Sequence, residues 1–281
     1  MDNISLQSRA DGLSLKGYHW PVDTPRAIVT IVHGLGEHSG RYEGYALAMT
    51  AEQIAVIAVD LRGHGQSAGS RGRAKDLSSL MSDIDTMCAK SRALYPNIPH
   101  FLMGHSMGGG LALRYAATHP DAGFSGIIAS APMIRPVDKV SGIQRILTKL
   151  IMKIKPGLTL DPGLDGSKIS SIETEARRYL SDPLVHSKLG ADLAIVMIEN
   201  GEWLIENADL IKYPLLIAHS RGDQLTGFTA SETFCDSVPD SEFIAYDDGQ
   251  HEIHHDIHAG DVKKAVVDFV LQKAGRHYAA S

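Results

Sequence analysis

The sequence predicts an α/β fold with a mostly parallel central sheet and helices on both faces. Two observations support this prediction. Short apolar runs rich in β-branched residues alternate with longer segments of helical periodicity, and Gly, Pro or Asp flanks the apolar runs. These runs are too short for helices and are typical of buried strands. In chain order they are Ala27–Val32, Ile54–Val59, Phe101–Met103, Gly126–Ala129 and Leu215–Ala218, with Ser241–Tyr246 as a further strand.

Helical periodicity lies between the predicted strands. The segments that carry it are Arg41–Glu52, Leu77–Leu94, Gly108–Ala117 and a last one from about Gly260 to Lys273. In the last segment the apolar residues share one face, namely Val262, Ala265, Val266, Phe269 and Val270.

The alternation of strands and helices stops between residues 134 and 206. This stretch contains no clear strand, and apolar residues from Ile143 to Ile154 recur at helical spacing until Pro156-Gly157 ends the run. We predict a helical cap at 134–206, inserted between two halves of one α/β core, 1–133 and 207–281. Additional core helices are the alternative, since periodicity does not distinguish the two.

The composition restricts the classes of function. The chain has 281 residues, of which 43% are hydrophobic, and a formal net charge of −6. It is long enough for a substantial core, and its acidity argues against a general nucleic-acid binder. Cys88 and Cys235 show no metal-ligand spacing and are expected to be reduced. Because neither a secretory h-region nor an apolar run of about 18 residues is present, we expect a cytoplasmic protein.

The strongest chemical motif is Gly104-His105-Ser106-Met107-Gly108, a G-x-S-x-G pentapeptide. A predicted strand precedes it and a predicted helix follows. This context is the one in which a nucleophilic serine is held on a sharp strand-to-helix turn. Glycines suit such a turn because neighbouring backbone leaves no room for a Cβ. We therefore predict Ser106 as the nucleophile.

A serine hydroxyl needs a base and an orienting acid. In this architecture both should follow the serine, acid first, on loops after strands. The run Tyr213–Ser220 leads into Asp223, and Ser241–Tyr246 leads into His251. The sequence thus predicts that Ser106 attacks, His251 takes its proton, and Asp223 holds the imidazole tautomer.

Other acids and bases lie close to these positions. Asp247 and Asp248 are nearer to His251 in sequence, but we expect both to face solvent. The alternative bases fall where the last helix should begin, and they are His254, His255 and His258. His251, the first after the glycine turn, is better placed.

The segment His251-Glu252-Ile253-His254-His255 also matches H-E-x-x-H, the zinc-protease motif. That chemistry requires both outer histidines on one face of a helix, whereas the preceding Asp247–Gly249 predicts a turn. A zinc hydrolase that uses His251 and His255 is kept as a distant alternative. The main prediction is a serine enzyme without metal or cofactor.

A serine hydrolase also needs donors for the oxyanion of its intermediate. One donor should be the backbone N–H that follows the nucleophile, which is Met107. The second should come from the loop after an early strand, where His33-Gly34-Leu35-Gly36 places the N–H of Leu35. A glycine turn without a catalytic role is the alternative for this loop.

Three segments resemble the monoacylglycerol lipases, a lysophospholipase-like branch of the α/β-hydrolases. They are HGLGEHSGRY at 33–42, DLRGHGQS at 60–67 and GHSMGG at 104–109, and the cap adds YLSDPLVH at 179–186. The resemblance runs from about Ala27 to Phe269. It implies the α/β-hydrolase fold with a helical cap and hydrolysis of monoacylglycerols to glycerol and fatty acid. Lysophospholipase and broad carboxylesterase activities remain alternatives.

The resemblance also implies a binding site for the glycerol end of the substrate. Its side chains match Glu37, Arg41, His105 and Tyr179. The alternatives are a Glu37–Arg41 ion pair and packing of Tyr179 inside the cap. Leu35 departs from the pattern, since a smaller residue there would leave more room near the acyl carbonyl.

The first cap segment is basic although the chain as a whole is acidic. Residues 135–160 contain six Lys and Arg and, before Asp161, the single acid Asp138. A basic helix with an apolar face predicts weak peripheral contact with anionic membranes, where insoluble monoglycerides reside. The alternative is that the apolar face packs on the core and the lysines are merely solvated.

Overall fold

The computed structural model describes residues 1–138, 148, 150, 154–155, 157–161, 163 and 165–280, with the backbone alone for 276–280. One sheet of eight strands forms its centre, in the spatial order β1-β2-β4-β3-β5-β6-β9-β10. A separate pair, β7 and β8, lies outside it. The strands are β1 (Asp2–Gln7), β2 (Ser14–Trp20), β3 (Ala27–Val32), β4 (Ile54–Val59), β5 (His100–His105), β6 (Phe124–Ser130), β7 (Thr159–Leu160), β8 (Leu189–Gly190), β9 (Leu215–Ser220) and β10 (Ser241–Tyr246).

The sheet is parallel from β4 to β10 and antiparallel only at β1 and β2. The predicted α/β fold is confirmed, and each of the six predicted strands is present. The N-terminal hairpin of β1 and β2 is an addition to that prediction. It covers one edge, and its outer strand is largely solvent-exposed, so it lacks the continuous apolar run by which buried strands are recognised.

Seven α-helices lie within the described residues. They are α1 (Glu43–Ala51), α2 (Leu77–Leu94), α3 (Met107–Thr118), α4 (Glu173–Ser181), α5 (Ala191–Glu206), α6 (Phe228–Asp236) and α7 (Ala259–Ala280). The predicted helix at Leu77–Leu94 is present with the same bounds. The segment predicted as Arg41–Glu52 begins as a 3-10 turn, Ser39–Tyr42, before α1. In the described part of the chain, no helix is long and apolar enough to cross a membrane.

Two apolar cores cover the two faces of the sheet. The alternating side chains of β3 illustrate the division, because Ile28 and Val32 pack with α2 and α3, whereas Val29 and Ile31 pack with α1 and α7. All four are fully buried. The sheet is therefore a rigid middle layer, and its parallel strands all end at the same edge.

Among the described residues of the region predicted as a cap, the regular elements are helices except for the short antiparallel pair of β7 and β8. The predicted helix from Ile143 to Ile154 lies almost wholly outside the described residues. The final helix, α5, packs on α3 of the core: Asn200 Nδ2 donates to the Gly110 carbonyl at 3.1 Å, and the Arg114 guanidinium lies 3.4 Å from the Trp203 ring centre. The division at residues 134 and 206 remains a prediction.

Candidate active site

Ser106 lies on a strained turn between β5 and α3. Its backbone has φ 52° and ψ −120°, a conformation that non-glycine residues rarely adopt. The turn is tight because backbone segments meet there: a Cβ on Gly104 would lie 2.1 Å from the Gly108 carbonyl oxygen, and one on Gly108 would lie 2.1 Å from that of Val32. The G-x-S-x-G spacing thus presents the hydroxyl at the carboxyl edge of the sheet.

A continuous hydrogen-bonded relay leads away from this hydroxyl. His251 Nε2 lies 2.8 Å from Ser106 Oγ, and His251 Nδ1 lies 2.7 Å from Asp223 Oδ2. Because a carboxylate only accepts, Nδ1 carries the hydrogen and Nε2 is free to accept from the serine. Asp223 follows β9 and His251 follows β10, so parallel topology brings together residues that lie far apart in sequence.

Asp223 is held as a charged acceptor. Its Oδ1 accepts from the amides of Leu225 (2.7 Å) and Thr226 (3.1 Å), and its Oδ2 accepts from the Thr226 hydroxyl (2.7 Å) and from His219 Nε2 (3.0 Å). Burial alone would raise the pKa of Asp223, but the charges and hydrogen bonds of His251 and His219 outweigh it and hold the pKa far below its usual range. The carboxylate therefore stays ionised.

The Asp223 carboxylate shifts the pKa of His251. Burial lowers its pKa, but the larger combined effect of the charge and hydrogen bond of Asp223 raises the pKa above the ordinary value of 6.5. An imidazole with such a pKa can gain and return a proton near neutral pH.

The alternative acids and bases lie elsewhere. Asp247 is exposed and pairs with Arg221 at 3.2 Å, and Asp248 is exposed in a left-handed turn. His254 is fully buried, and neither of its ring nitrogens has a hydrogen-bond partner. Among the described acids and histidines, Asp223 and His251 are the pair hydrogen-bonded towards Ser106.

Ser106 opens into a cavity of about 270 Å³, the catalytic cavity. Leu35, in the loop after β3, lines it, and a Cβ on the neighbouring Gly34 would lie 3.2 Å from Ser106 Cβ. Met107 is the first residue of α3, where backbone N–H groups lack helical partners. The two amides predicted as oxyanion donors thus belong to segments that adjoin Ser106.

Residues 23–258 match the model of the serine aminopeptidase S33 family (Hydrolase_4). The chain belongs to this family. An uncharacterized abhydrolase domain-containing protein of Dictyostelium discoideum is 35% identical over 95% of this chain, which spans 28% of that protein. The monoacylglycerol lipase of Mycolicibacterium smegmatis is 33% identical over 84% of this chain and 85% of its own length. The crystal structure of Paleococcus ferrophilus monoacylglycerol lipase superposes with a TM-score of 0.82, at 32% identity, over 92% of this chain and 99% of that one.

In this member of the S33 family, the catalytic cavity has one polar end, formed by Glu37, His105, Tyr179 and Glu252. Glu37 Oε1 accepts from the Gly34 amide at 2.6 Å, and its Oε2 has no hydrogen-bond partner. Burial, helped by the nearby His251, lowers the pKa of His105 to about 4, so this imidazole is neutral. Three of the four predicted substrate-binding residues therefore face the cavity.

The fourth, Arg41, lies behind the polar end. Its Nε is 3.4 Å from Glu37 Oε2, and its Nη2 is 2.5 Å from Glu252 Oε2. Its guanidinium also covers the Tyr179 ring at 4.6 Å. The predicted Glu37–Arg41 ion pair is present, and it extends to a second carboxylate that the sequence interpretation missed.

Two residues of the site escaped sequence-based reasoning. In the sequence, Glu252 stands out only as part of the H-E-x-x-H match, and His219 only as one position of the predicted strand run Tyr213–Ser220. The contact between Arg41 and Glu252 spans 211 positions. The available signal was proximity in sequence, since Glu252 directly follows His251 and His219 lies four positions before Asp223.

The zinc alternative lacks its structural basis. Only Ile253–His255 of the motif is helical, as a 3-10 turn, so His251 and His255 do not share a helical face. Within the described residues, His251 belongs to no group of three possible metal ligands. Glu37, His105 and Glu252 do form such a group, but the guanidinium of Arg41 contacts both carboxylates and would repel a cation.

Proposed function

We propose that this protein hydrolyses the ester bond of monoacylglycerols and releases glycerol and a free fatty acid. The observation that carries the proposal is the Ser106–His251–Asp223 relay at the wall of a cavity that has a polar end and apolar sides. Two similar proteins are named monoacylglycerol lipases, which supports the proposal.

In the proposed acylation step, Ser106 Oγ attacks the ester carbonyl while His251 Nε2 takes its proton. The oxyanion accepts hydrogen bonds from the backbone amides of Leu35 and Met107. Collapse of the tetrahedral intermediate breaks the bond to glycerol, and the imidazolium of His251 protonates the departing alkoxide. Water then attacks the acyl-serine with His251 as base, which releases the fatty acid and restores the Ser106 hydroxyl.

The cavity matches an amphiphilic ester. The acceptors of Glu37 and Glu252 suit the two free hydroxyls of a glycerol headgroup, and the ring of Tyr179 closes this end. Apolar side chains suit the acyl chain, namely Leu35, Met133, Ile169, Leu189, Met197 and Leu225. A site whose buried polar groups need hydroxyl partners discriminates against esters that lack them.

Substrate profiling tests the proposal. We expect kcat/KM for monooleoylglycerol to exceed that for dioleoylglycerol, trioleoylglycerol and oleoyl lysophosphatidylcholine. It should also exceed that for a peptide cleaved at its N-terminal amide bond. Ser106→Ala should abolish turnover of each, which separates enzyme from contaminant. Preference for the lysophospholipid would assign a lysophospholipase, and equal rates on simple esters would assign a broad carboxylesterase.

We also propose that residues 134–206 act as a cap, through which the enzyme meets its insoluble substrate. More than half of the basic segment 135–160 lies outside the described residues, and its six Lys and Arg support this contact. A cytoplasmic enzyme with such a segment should bind anionic vesicles weakly and release them as salt rises. Absence of co-sedimentation with phosphatidylglycerol vesicles at low salt would refute this membrane contact.

A further inference from the structure

Glu252 is a buried carboxylate directly beside the proposed catalytic base. It follows His251 in sequence, is only 2% exposed, and lines the catalytic cavity. Its Oε2 accepts from Arg41 Nη2 at 2.5 Å and from His255 Nδ1 at 2.9 Å. Burial raises the pKa of Glu252, but the bond from His255 and the charge of Arg41 bring the pKa down to about 2. The carboxylate is therefore ionised at neutral pH.

The polar end of the cavity carries an excess of negative charge. Glu37 and Glu252 each place an oxygen within 4.8 Å of the other and of a ring nitrogen of His105. Among the described residues that line the cavity there is no lysine or arginine. Arg41 is the guanidinium that both carboxylates share, so its charge is already engaged. Because one buried cation, Arg41, already pairs with two buried carboxylates, no further positive charge is left at this end to bind an anionic ligand.

The acceptors at this end of the cavity favour a ligand that carries hydrogen-bond donors. The ion pair with Arg41 Nε at 3.4 Å offsets the charge of Glu37, but its buried Oε2 has no hydrogen-bond partner, so a donor on a ligand would stabilise it. A hydroxyl can donate to such an oxygen. A phosphate at the same place would instead bring its own negative charge against two carboxylates in a poorly solvated site, where like charges repel strongly.

We infer that Glu252 is a specificity-determining residue, which excludes acyl esters with a phosphate on the headgroup and leaves the cavity selective for neutral polyol headgroups. This inference rests on the proposed function and concerns the same site. Specificity of this kind arises from repulsion of the wrong substrate as well as attraction of the right one. Neutralising Glu252 would also leave the positive charge of Arg41 balanced by Glu37 alone.

The test compares two substrates that differ only in the phosphate, 1-oleoylglycerol and 1-oleoylglycerol 3-phosphate, in the same neutral detergent. For the wild type we expect kcat/KM to favour the neutral ester by ~100-fold or more. In Glu252→Gln, a neutral side chain of the same shape, we expect this ratio to fall by at least ~10-fold, because the phosphate ester gains. Active-site titration with a fluorophosphonate corrects for the fraction of folded enzyme.

Glu173→Gln is the matched control. Glu173 lies in α4, is exposed, and pairs with the exposed Arg177. The substitution removes the same charge from the protein without changing the cavity, so the ratio of kcat/KM for the two substrates should stay that of the wild type. Glu252→Asp, which keeps the charge, should retain most of the preference for the neutral ester.

The outcomes separate the two proposals. A wild type that prefers the 3-phosphate overturns the proposed function itself. A wild type that prefers the neutral ester, with the same ratio in Glu252→Gln, leaves the function standing and overturns the role of Glu252. If the variant fails to fold, inhibition of the wild type provides a second test. Glycerol should inhibit the wild type more strongly than glycerol 3-phosphate, and the reverse order overturns the inference.

Discussion

His219 hydrogen-bonds Asp223 through Nε2 at 3.0 Å, and both side chains are fully removed from solvent. The bond falls on Oδ2, the oxygen that also faces Nδ1 of His251. Two imidazoles therefore share one carboxylate oxygen. We expect His219 to limit how far Asp223 raises the pKa of His251, and so to position the base within its working pH range.

Replacing His219 by leucine should move the acidic limb of the kcat/KM profile to higher pH. Without this donor, Oδ2 keeps more negative charge and stabilises the imidazolium of His251 further. Catalysis needs the neutral imidazole, so a higher pH is required to reach the same activity. The expected shift is about 0.5–1 pH unit.

His219→Gln, which keeps an N–H donor of similar reach, should restore the limb towards the wild-type position. A leucine variant with lower kcat but an unmoved limb would show that His219 only fills space.

Asp223→Asn should reduce kcat by about 10⁴-fold while the protein still folds. The asparagine can turn its amide N–H₂ towards His251, which forces the hydrogen onto Nε2. That nitrogen then cannot accept from Ser106. Steady-state kinetics with circular dichroism on the same preparation measure both effects.

Asp247→Asn provides the comparison, because Asp247 is an exposed acid only four positions before His251. Its activity should stay within about twofold of the wild type, as for most surface substitutions. Full activity in Asp223→Asn would move the orienting acid to Asp247 or Asp248.

The parts of this site that were predictable from sequence are those that follow from chain order. Parallel strands end at one edge, so a residue just after a strand, such as Asp223, is expected there. The relationship between Arg41 and Glu252 does not follow from any local pattern. It depends on how the loop after β10 packs against the turn before α1, a tertiary contact that neither segment encodes alone.

The observed fold differs from the predicted one where strands lack a local apolar pattern. The buried strands β3 and β4 are apolar runs, interrupted only by Thr30, and their predicted bounds match those in the structure. The edge strand β1 is largely exposed, and only Ile4 and Leu6 of it pack partly against the core. In the proposed cap, the pairing of β7 with β8 joins segments of two residues, which is too short for a periodic signal.

Gly108→Ala should destabilise the protein although alanine is the better helix former. The added Cβ would lie 2.1 Å from the Val32 carbonyl oxygen and 2.4 Å from that of His33, both backbone atoms of a central strand and its loop. Relief requires α3 to move away from the sheet, at a cost of at least about 2 kcal/mol. Urea unfolding followed by tryptophan fluorescence would measure this loss.

Gly260→Ala is the control, since nothing lies within 4 Å of the new Cβ in the first turn of α7. It should be neutral or stabilising by up to about 1 kcal/mol. Equal effects of the two substitutions would mean that close packing behind Ser106 does not set the geometry of the turn.

Asp256→Ala should lower kcat through the loop that carries His251. Asp256 is 2% exposed and accepts from the amides of Gln250 (2.6 Å), Ile257 (2.8 Å) and Ser171 (3.0 Å). Loss of the carboxylate leaves buried N–H groups without acceptors and releases the loop from Ser171, in the proposed cap. A base that is displaced by about 1 Å costs on the order of 100-fold in rate.

The pH profile distinguishes this effect from a change at the relay itself. Because the Asp223–His251 pair is untouched, kcat should fall while the acidic limb stays in place, and amide hydrogen exchange should quicken at residues 249–257. Asp261→Ala, at an exposed acid in the first turn of α7, should change neither quantity. If Asp256→Ala moved the limb instead, Asp256 would act on the charge of His251 rather than on its position.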